Sequence, residues 1–280
     1  MLKGKVIGFL GAGSMAEAMV QGLLAAELVQ PGQLIVTNRG NLQRLRDLEK
    51  RYQVQTTTDK AQAVGGANLL VLCCKPKDVN TLLDEVGPML RPGQVLLSVA
   101  AGISTETLID GVTPGVHVVR AMPNTSSVLR LSATAFCGGA GCSSEALALS
   151  RVVLGAVGVV EEVPEPLLDA VTGLSGTGPA YVYLLAEAMI GGGESLGLDP
   201  ATVRALVRQT VLGAAHMLAD PDADPAELRR RVTSPGGTTE AAMQLLTEAD
   251  FVPNMERAIQ RAAERSREMG ALWARRAASD

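Results

Sequence analysis

Two stretches of this chain combine residue types and spacing that can do chemistry on a small charged molecule. The first is Gly11-Ala12-Gly13-Ser14-Met15-Ala16, directly after an apolar run ending at Leu10. Gly11, Gly13 and Ala16 fit the spacing of a dinucleotide turn: a tight bend, a close approach for a pyrophosphate, and close packing of helix on strand. The helix that follows offers unpaired N–H groups and a positive dipole end to the phosphates. The end of the next strand decides between nucleotides. Asp or Glu there would take a ribose 2′-hydroxyl, but this chain has Thr37-Asn38-Arg39. A guanidinium fork with small polar donors suits a 2′-phosphate. The expectation is NADPH over NADH, with NADH still usable. A solvated surface role for Arg39 is the alternative.

The second stretch is Ser234-Pro235-Gly236-Gly237-Thr238-Thr239, a turn feeding a helix. Free N–H groups at such a helix start form a cup for a small carboxylate. Gly236, Gly237, Thr238 and Thr239 are the expected carboxylate ligands. The Thr239 hydroxyl stands within reach of a ring nitrogen and is the candidate catalytic group. An ordinary helix cap is the alternative, though two glycines and a proline exceed what a cap needs.

The elements that must position these residues change character along the chain. Lys5 to Leu10, Leu34 to Thr37, Asn68 to Cys74, Val95 to Ala100 and Val116 to Met122 read as strands. Thr134 to Cys137 and Val157 to Val163 are weaker ones. Helical segments alternate with them, including 15–28 and 41–51, and this predicts a doubly wound, mostly parallel Rossmann sheet. From about Glu165 onward no strand is read. Helices are expected at 179–196, 200–220, 225–232, 238–248 and 253–277, several opening on Pro near the first turn, where its missing N–H is harmless. The division is a dinucleotide-binding domain over 1–163 and an all-helical substrate-binding and dimerisation domain over 164–280. The segment Ala180 to Ile190 is apolar almost all round, which predicts a helix buried on every side. A helix sandwiched between two subunits satisfies that. The centre of a single-chain bundle is the alternative.

Composition narrows the function classes. The chain has 280 residues and a net charge of −4, with 2% aromatic residues. A mildly acidic surface with little aromatic area does not suit nucleic acid. No apolar run approaches the ~20 residues of a membrane span. The N-terminus lacks a signal-peptide pattern, which points to the cytoplasm. Four cysteines and two histidines make neither a disulfide framework nor a metal site, and no metal is expected.

Several segments, taken in order, resemble one family. They are the Gly-x-Gly-x-Met-Ala turn, Cys74-Lys75-Pro76-Lys77, Val119-Arg120-Ala121-Met122-Pro123-Asn124-Thr125, Val171 to Tyr181, and Val232 to Thr239, of which Ser-Pro-Gly-Gly-x-Thr is the most specific. Together they resemble pyrroline-5-carboxylate reductase over nearly the whole chain. The resemblance implies NAD(P)H-dependent reduction of 1-pyrroline-5-carboxylate to L-proline, the last step of proline biosynthesis. It implies a Rossmann domain, a helical domain interlocked with a dimer mate, and often a decamer made as a pentamer of dimers. By motif it implies that Leu10, Gly11, Ala12, Gly13, Ser14 and Met15 hold the pyrophosphate, and Asn38 and Arg39 the 2′-phosphate. Cys74, Lys75, Pro76, Ala100 and Ala101 would then lie near the nicotinamide ribose and ring. Gly237, Thr238 and Thr239 would hold the substrate, with Glu165 nearby. Lys60 departs from the family's usual Asn beside the adenosine, and Arg231 from the Asn that often precedes the Ser-Pro-Gly-Gly run.

Two other readings compete. β-Hydroxyacid and 6-phosphogluconate-like dehydrogenases share Gly173-x-x-Gly176-x-Gly178, but Val182 stands where they carry a catalytic lysine. A carbonyl needs an acid for its developing alkoxide, whereas a protonated cyclic imine already carries its proton. A non-catalytic NADPH sensor is the third reading. Such a sensor has no use for a small-carboxylate cup.

Overall fold

The computed structural model describes residues 1–277. Its strands are β1 (Ile7–Leu10), β2 (Leu34–Thr37), β3 (Gln55–Thr57), β4 (Leu69–Leu72), β5 (Val95–Ser98), β6 (His117–Met122), β7 (Ser132–Gly138) and β8 (Gly158–Glu162). They form one sheet in the order β3-β2-β1-β4-β5-β6-β7-β8, parallel throughout except for the β6–β7 pair. The four adjacent strands β2, β1, β4 and β5 are buried at every residue, as largely apolar runs between two helical layers must be. Six helices accompany the sheet: α1 (Ser14–Ala25), α2 (Leu42–Tyr52), α3 (Lys60–Gly66), α4 (Val79–Val86), α5 (Thr105–Asp110) and α6 (Ser144–Gly155). One core, around Phe9, Met19, Leu23 and Phe136, lies on one face of the sheet, and a second, around Leu70, Leu83, Leu96 and Leu108, on the other. Strand β3 has no apolar residue and was not expected. It pairs at the open edge beside β2, where backbone hydrogen bonding rather than burial defines it.

The chain then turns helical, and no strand follows among the described residues. The helices are α7 (Leu168–Val171), a π-turn over Thr172–Gly176, then α8 (Gly178–Ser195), α9 (Pro200–Leu218), α10 (Pro225–Arg231), α11 (Thr238–Glu248) and α12 (Phe251–Ala277). Two compact units result. One comprises Met1–Thr177 together with the described residues from Gln260 on, and the other Gly178–Ile259. The units therefore do not part at 163/164, where strand-rich sequence gives way to helical sequence. Residues 164–177 stay with the sheet because Leu168 packs against Ala135 and Cys137 of β7, and because Glu165 and Asp169 neutralise buried Arg120 of β6.

Within Gly178–Ile259 only Val203 and Val207 are buried. Helix α8 buries none of its residues, and Leu184 is 65% exposed. The centre of a single-chain bundle is thereby excluded for this helix, since it packs on α9 only at its C-terminal end, around Gly193 and Val203, and none of its residues is buried. No helix of the described residues is long and apolar enough to cross a membrane.

Candidate active site

The sheet order reverses between β1 and β4, and at such a switch point the carboxyl ends of the strands open a crevice for a dinucleotide. The glycine turn sits there. Gly11 has φ +121°, and a Cβ on it would stand 3.0 Å from the Cys73 carbonyl oxygen. Only glycine allows the chain to leave β1 against the end of β4 in this way. The Gly11 N–H donates to the Thr37 carbonyl at 3.2 Å, and the Thr37 hydroxyl donates to the Phe9 carbonyl at 3.1 Å, so β2 holds the turn from its other side. Gly13 faces open space and caps α1 with no side chain. The first intrahelical bond is that of Glu17 N–H to the Gly13 carbonyl. The N–H groups of Ser14, Met15 and Ala16 therefore remain for a ligand. Leu10 and Ala12 are buried beneath this cradle. The backbone present fits a pyrophosphate.

Sequence reasoning missed the residue that braces the turn. Arg44 of α2 donates from Nε to the Ala12 carbonyl at 2.9 Å and pairs through Nη2 with Glu17 at 2.5 Å. Glu17 also pairs with Arg51 and accepts from the Tyr52 hydroxyl. Burial works to raise the Glu17 carboxyl. Hydrogen bonds from Arg44 and Tyr52 and the two arginine charges outweigh it and hold the group below its ordinary value. Nothing local marks Arg44 in a helix that reads simply as charged surface. Only the return of α2 to the turn after β1 reveals it.

Asn38 accepts from the N–H groups of Gly40 and Asn41 through Oδ1, at 3.1 and 2.8 Å, which shapes the loop after β2. Its amide Nδ2 makes no hydrogen bond among the described residues. Arg39 on that loop is exposed and forms no ion pair among the described residues. Lys60 is bound to Glu85 at 2.6 Å, and Arg231 to Glu227 at 3.0 Å, so each departure from the family pattern has a local ionic partner.

Cys74, Lys75 and Pro76 follow β4, where Pro76 starts a short 3₁₀ turn. Cys73 packs with one core and Cys74 with the other, as adjacent residues leaving a strand should. Burial pushes all four thiols up, those of Cys74 and Cys137 to about 12, so none is an activated nucleophile. Ala100 and Ala101 follow β5, two strands from β1 across β4. Ala100 is buried and Ala101 partly open.

The cup of the second unit differs in one respect from expectation. Glu240 turns back and accepts the Gly236 N–H at 2.7 Å, and the Gly237 N–H donates to the Ser234 carbonyl at 3.0 Å. Gly236 and Gly237 therefore shape the turn and do not present free N–H groups. A Cβ on Gly237 would stand 2.4 Å from Ser234 Oγ, so the turn requires glycine there. The N–H groups left at the start of α11 are those of Thr238, Thr239 and Glu240. The Thr239 hydroxyl makes no hydrogen bond among the described residues, and the helix has no side-chain cap. Capping is thus not what Thr239 does.

Glu165 is also differently engaged than a substrate ligand would be. One carboxylate oxygen accepts the Thr105 N–H at 2.7 Å and lies 3.2 Å from Arg120. The other accepts the Thr105 hydroxyl. Asp169 accepts from Arg120 and, at 2.6 Å, from Ser266 of α12. A charge in the middle of an apolar strand was the available signal for this cluster. Arg120 sits in Val118-Val119-Arg120-Ala121 and must find carboxylates.

The chain is 39% identical to pyrroline-5-carboxylate reductase 2 of Bacillus subtilis over 265 residues, covering 95% of each chain. The chain belongs to the pyrroline-5-carboxylate reductase family. It is also 36% identical to the reductase of Methanosarcina acetivorans, across 96% of this chain and 99% of that one. Residues 165–269 match the family model for pyrroline-5-carboxylate reductase dimerisation. Residues 6–102 match that for coenzyme F420-dependent NADP oxidoreductases. Among solved structures, the Coxiella burnetii reductase superposes with a TM-score of 0.89 at 34% identity, covering 95% of this chain and 98% of that one. The Plasmodium falciparum enzyme, solved with NADP bound, gives 0.84 at 25% identity over 95% and 98%. In this reductase the two model matches cover the glycine turn after β1 and the helical region that follows the sheet.

Proposed function

We infer that this reductase uses NAD(P)H to reduce 1-pyrroline-5-carboxylate to L-proline, the last step of proline biosynthesis. The observation that carries this is the end-to-end match to the family, at 39% identity over 95% of both chains. When bound, the reduced nicotinamide supplies a hydride to the imine carbon. The chain's own groups bind and orient. The N–H groups of Thr238 and Thr239 hold the carboxylate at the N-terminus of α11, and the Thr239 hydroxyl oxygen accepts the N–H of the iminium ring. The iminium arrives protonated, so no side chain needs to act as a strong acid, and the exposed ammonium of Lys75 is not required. Glu165 acts at one remove, by holding the N-terminus of α5. NADPH is the preferred donor, with Asn38 and Arg39 on its 2′-phosphate and Cys74, Lys75, Pro76, Ala100 and Ala101 near the nicotinamide.

The working form is a homodimer in which each site joins one chain's nucleotide fold to its partner's Thr239 segment. The exposed apolar α8 and the near absence of a core in Gly178–Ile259 support it. A decamer of five such dimers and a cytoplasmic location complete the reading. The test is the loss of reduced-nicotinamide absorbance with pyrroline-5-carboxylate, run beside 3-hydroxyisobutyrate with NADP. Turnover of the hydroxyacid alone would move the enzyme to the dehydrogenase class. Nucleotide binding with turnover of neither would make it a sensor.

A further inference from the structure

The C-terminal part of α12 returns to the sheet unit and touches it at three places. The Ser266 hydroxyl donates to Asp169 at 2.6 Å. Gly270 lies against the loop after β5, where a Cβ on Gly270 would stand 2.7 Å from the Gly102 carbonyl oxygen. Asn80 Nδ2 donates to the Trp273 carbonyl at 3.4 Å, and the Trp273 ring packs on the core around Leu70 and Leu96. Two of these contacts fall on the segments that carry the nicotinamide-side residues. Gly102 directly follows Ala100-Ala101, and Asn80 lies at the start of α4, just past Cys74-Lys75-Pro76.

The Gly102–Gly270 contact is backbone on backbone. Gly102 has φ +77°, and a Cβ on it would in turn meet the Gly270 nitrogen at 3.4 Å. Gly270 cannot gain a methyl group without one backbone segment moving, because the atom it would meet is the Gly102 carbonyl oxygen and not the end of a flexible side chain; at Gly102 the contact is an ordinary one, and the positive φ is what calls for glycine. Helix propensity runs the other way, since an alanine in the interior of α12 is favoured over glycine. A glycine kept at a helical position for its close approach is therefore spending helix stability on the location of a loop.

We propose that Gly270 of α12 is a positioning residue for hydride transfer, setting the height of the Ala100-Ala101-Gly102 loop against the nicotinamide by direct backbone contact with Gly102. This rests on the reading that Ala101 faces the nicotinamide. A side chain at position 270 pushes the loop by a few tenths of an ångström toward the cleft. The donor and acceptor carbons then no longer meet at reacting distance. Displacements of this order cost hydride transfer far more than they cost binding of the distant adenosine half.

The experiment uses the full-length enzyme and Gly270→Ala. Calorimetry gives the Kd of NADPH and that of adenosine 2′,5′-bisphosphate, which carries the 2′-phosphate but no nicotinamide. The expected result is a kcat lower by about tenfold or more, weaker NADPH binding, and bisphosphate binding within about twofold of wild type. Ser266→Ala, which loosens the same helix without steric conflict, should shift kcat in the same direction by a smaller factor, and it serves alone if Gly270→Ala does not fold. A Gly270→Ala enzyme that melts higher and keeps full kcat overturns the proposal. So does an equal loss of affinity for both ligands, which would mark a purely structural role. Ala101→Leu separates the underlying reading. If it leaves NADPH affinity and kcat unchanged, the nicotinamide is not at Ala101 and the proposal falls with that reading. If it lowers both while Gly270→Ala and Ser266→Ala are silent, the proposal alone is overturned.

Discussion

Arg44 Nε lies 2.9 Å from the carbonyl oxygen of Ala12, so helix α2 holds the middle of the glycine turn. The same guanidinium neutralises Glu17, whose carboxylate would otherwise stand within the first turn of α1, where an anionic ligand is to bind. Arg44→Met should therefore weaken NADPH and NADH alike, because the brace acts on the pyrophosphate. The loss of one charged hydrogen bond is about 1.5 kcal/mol, roughly tenfold in Kd, and calorimetry with each nucleotide would measure it. The substitution should also change acid stability. Glu17 is held below its ordinary value, so its contribution is full above that value and is lost as pH falls through the lower, folded one. Arg44→Met should shrink this acid-side loss, as read by melting temperature between neutral pH and about pH 3.

Arg39→Asp should separate the two nucleotides. A carboxylate facing a 2′-phosphate repels it, whereas it can accept a ribose 2′-hydroxyl. KM for NADPH should rise far more than KM for NADH, by roughly tenfold or greater. Equal effects would return Arg39 to an ordinary surface role.

Glu165→Ala should act first on stability. It leaves Arg120, only 7% exposed, with Asp169 as its remaining carboxylate and frees the N-terminus of α5. A cost of about 2–3 kcal/mol lowers Tm by roughly 5–10 °C in a chain of this size. A rise in KM for the imine with no change in Tm would instead make Glu165 a direct substrate ligand.

Thr239→Ala keeps the backbone cup and removes a hydroxyl that makes no hydrogen bond among the described residues. The expected fall in kcat/KM for the imine is roughly 10- to 150-fold, corresponding to ~1.5–3 kcal/mol. NADPH affinity should scarcely change, and Thr239→Ser should keep most of the activity. Near wild-type kcat/KM in the alanine variant would show that backbone placement suffices.

Leu184→Glu places a charge on the most exposed leucine of α8. In a desolvated dimer interface that charge has no partner, so the dimer and the activity should be lost together. Sedimentation velocity gives the mass of the variant. A fully active monomer would refute the shared site.

The sequence by itself determined the local chemistry of this protein. Gly11 to Ala16 must turn and open a helix because of where glycine and a small residue stand, and the fully apolar runs Ile7–Leu10 and Leu69–Leu72 must lie inside a parallel sheet. The same is true of the helix start at Thr238, which follows from the Pro-Gly-Gly turn before it. Tertiary structure decided the partners. Arg44 meets Ala12, Glu165 meets Thr105, and Gly270 meets Gly102 across separations that no local pattern spans. The Glu240 carboxylate, only four residues from Gly236, was also out of reach of pattern reading, because side-chain direction at a helix start depends on the turn before it. Hydrophobic period and backbone sterics act within a few residues and are written in composition. Charge pairing and close backbone approach act between segments that only the packed sheet brings together.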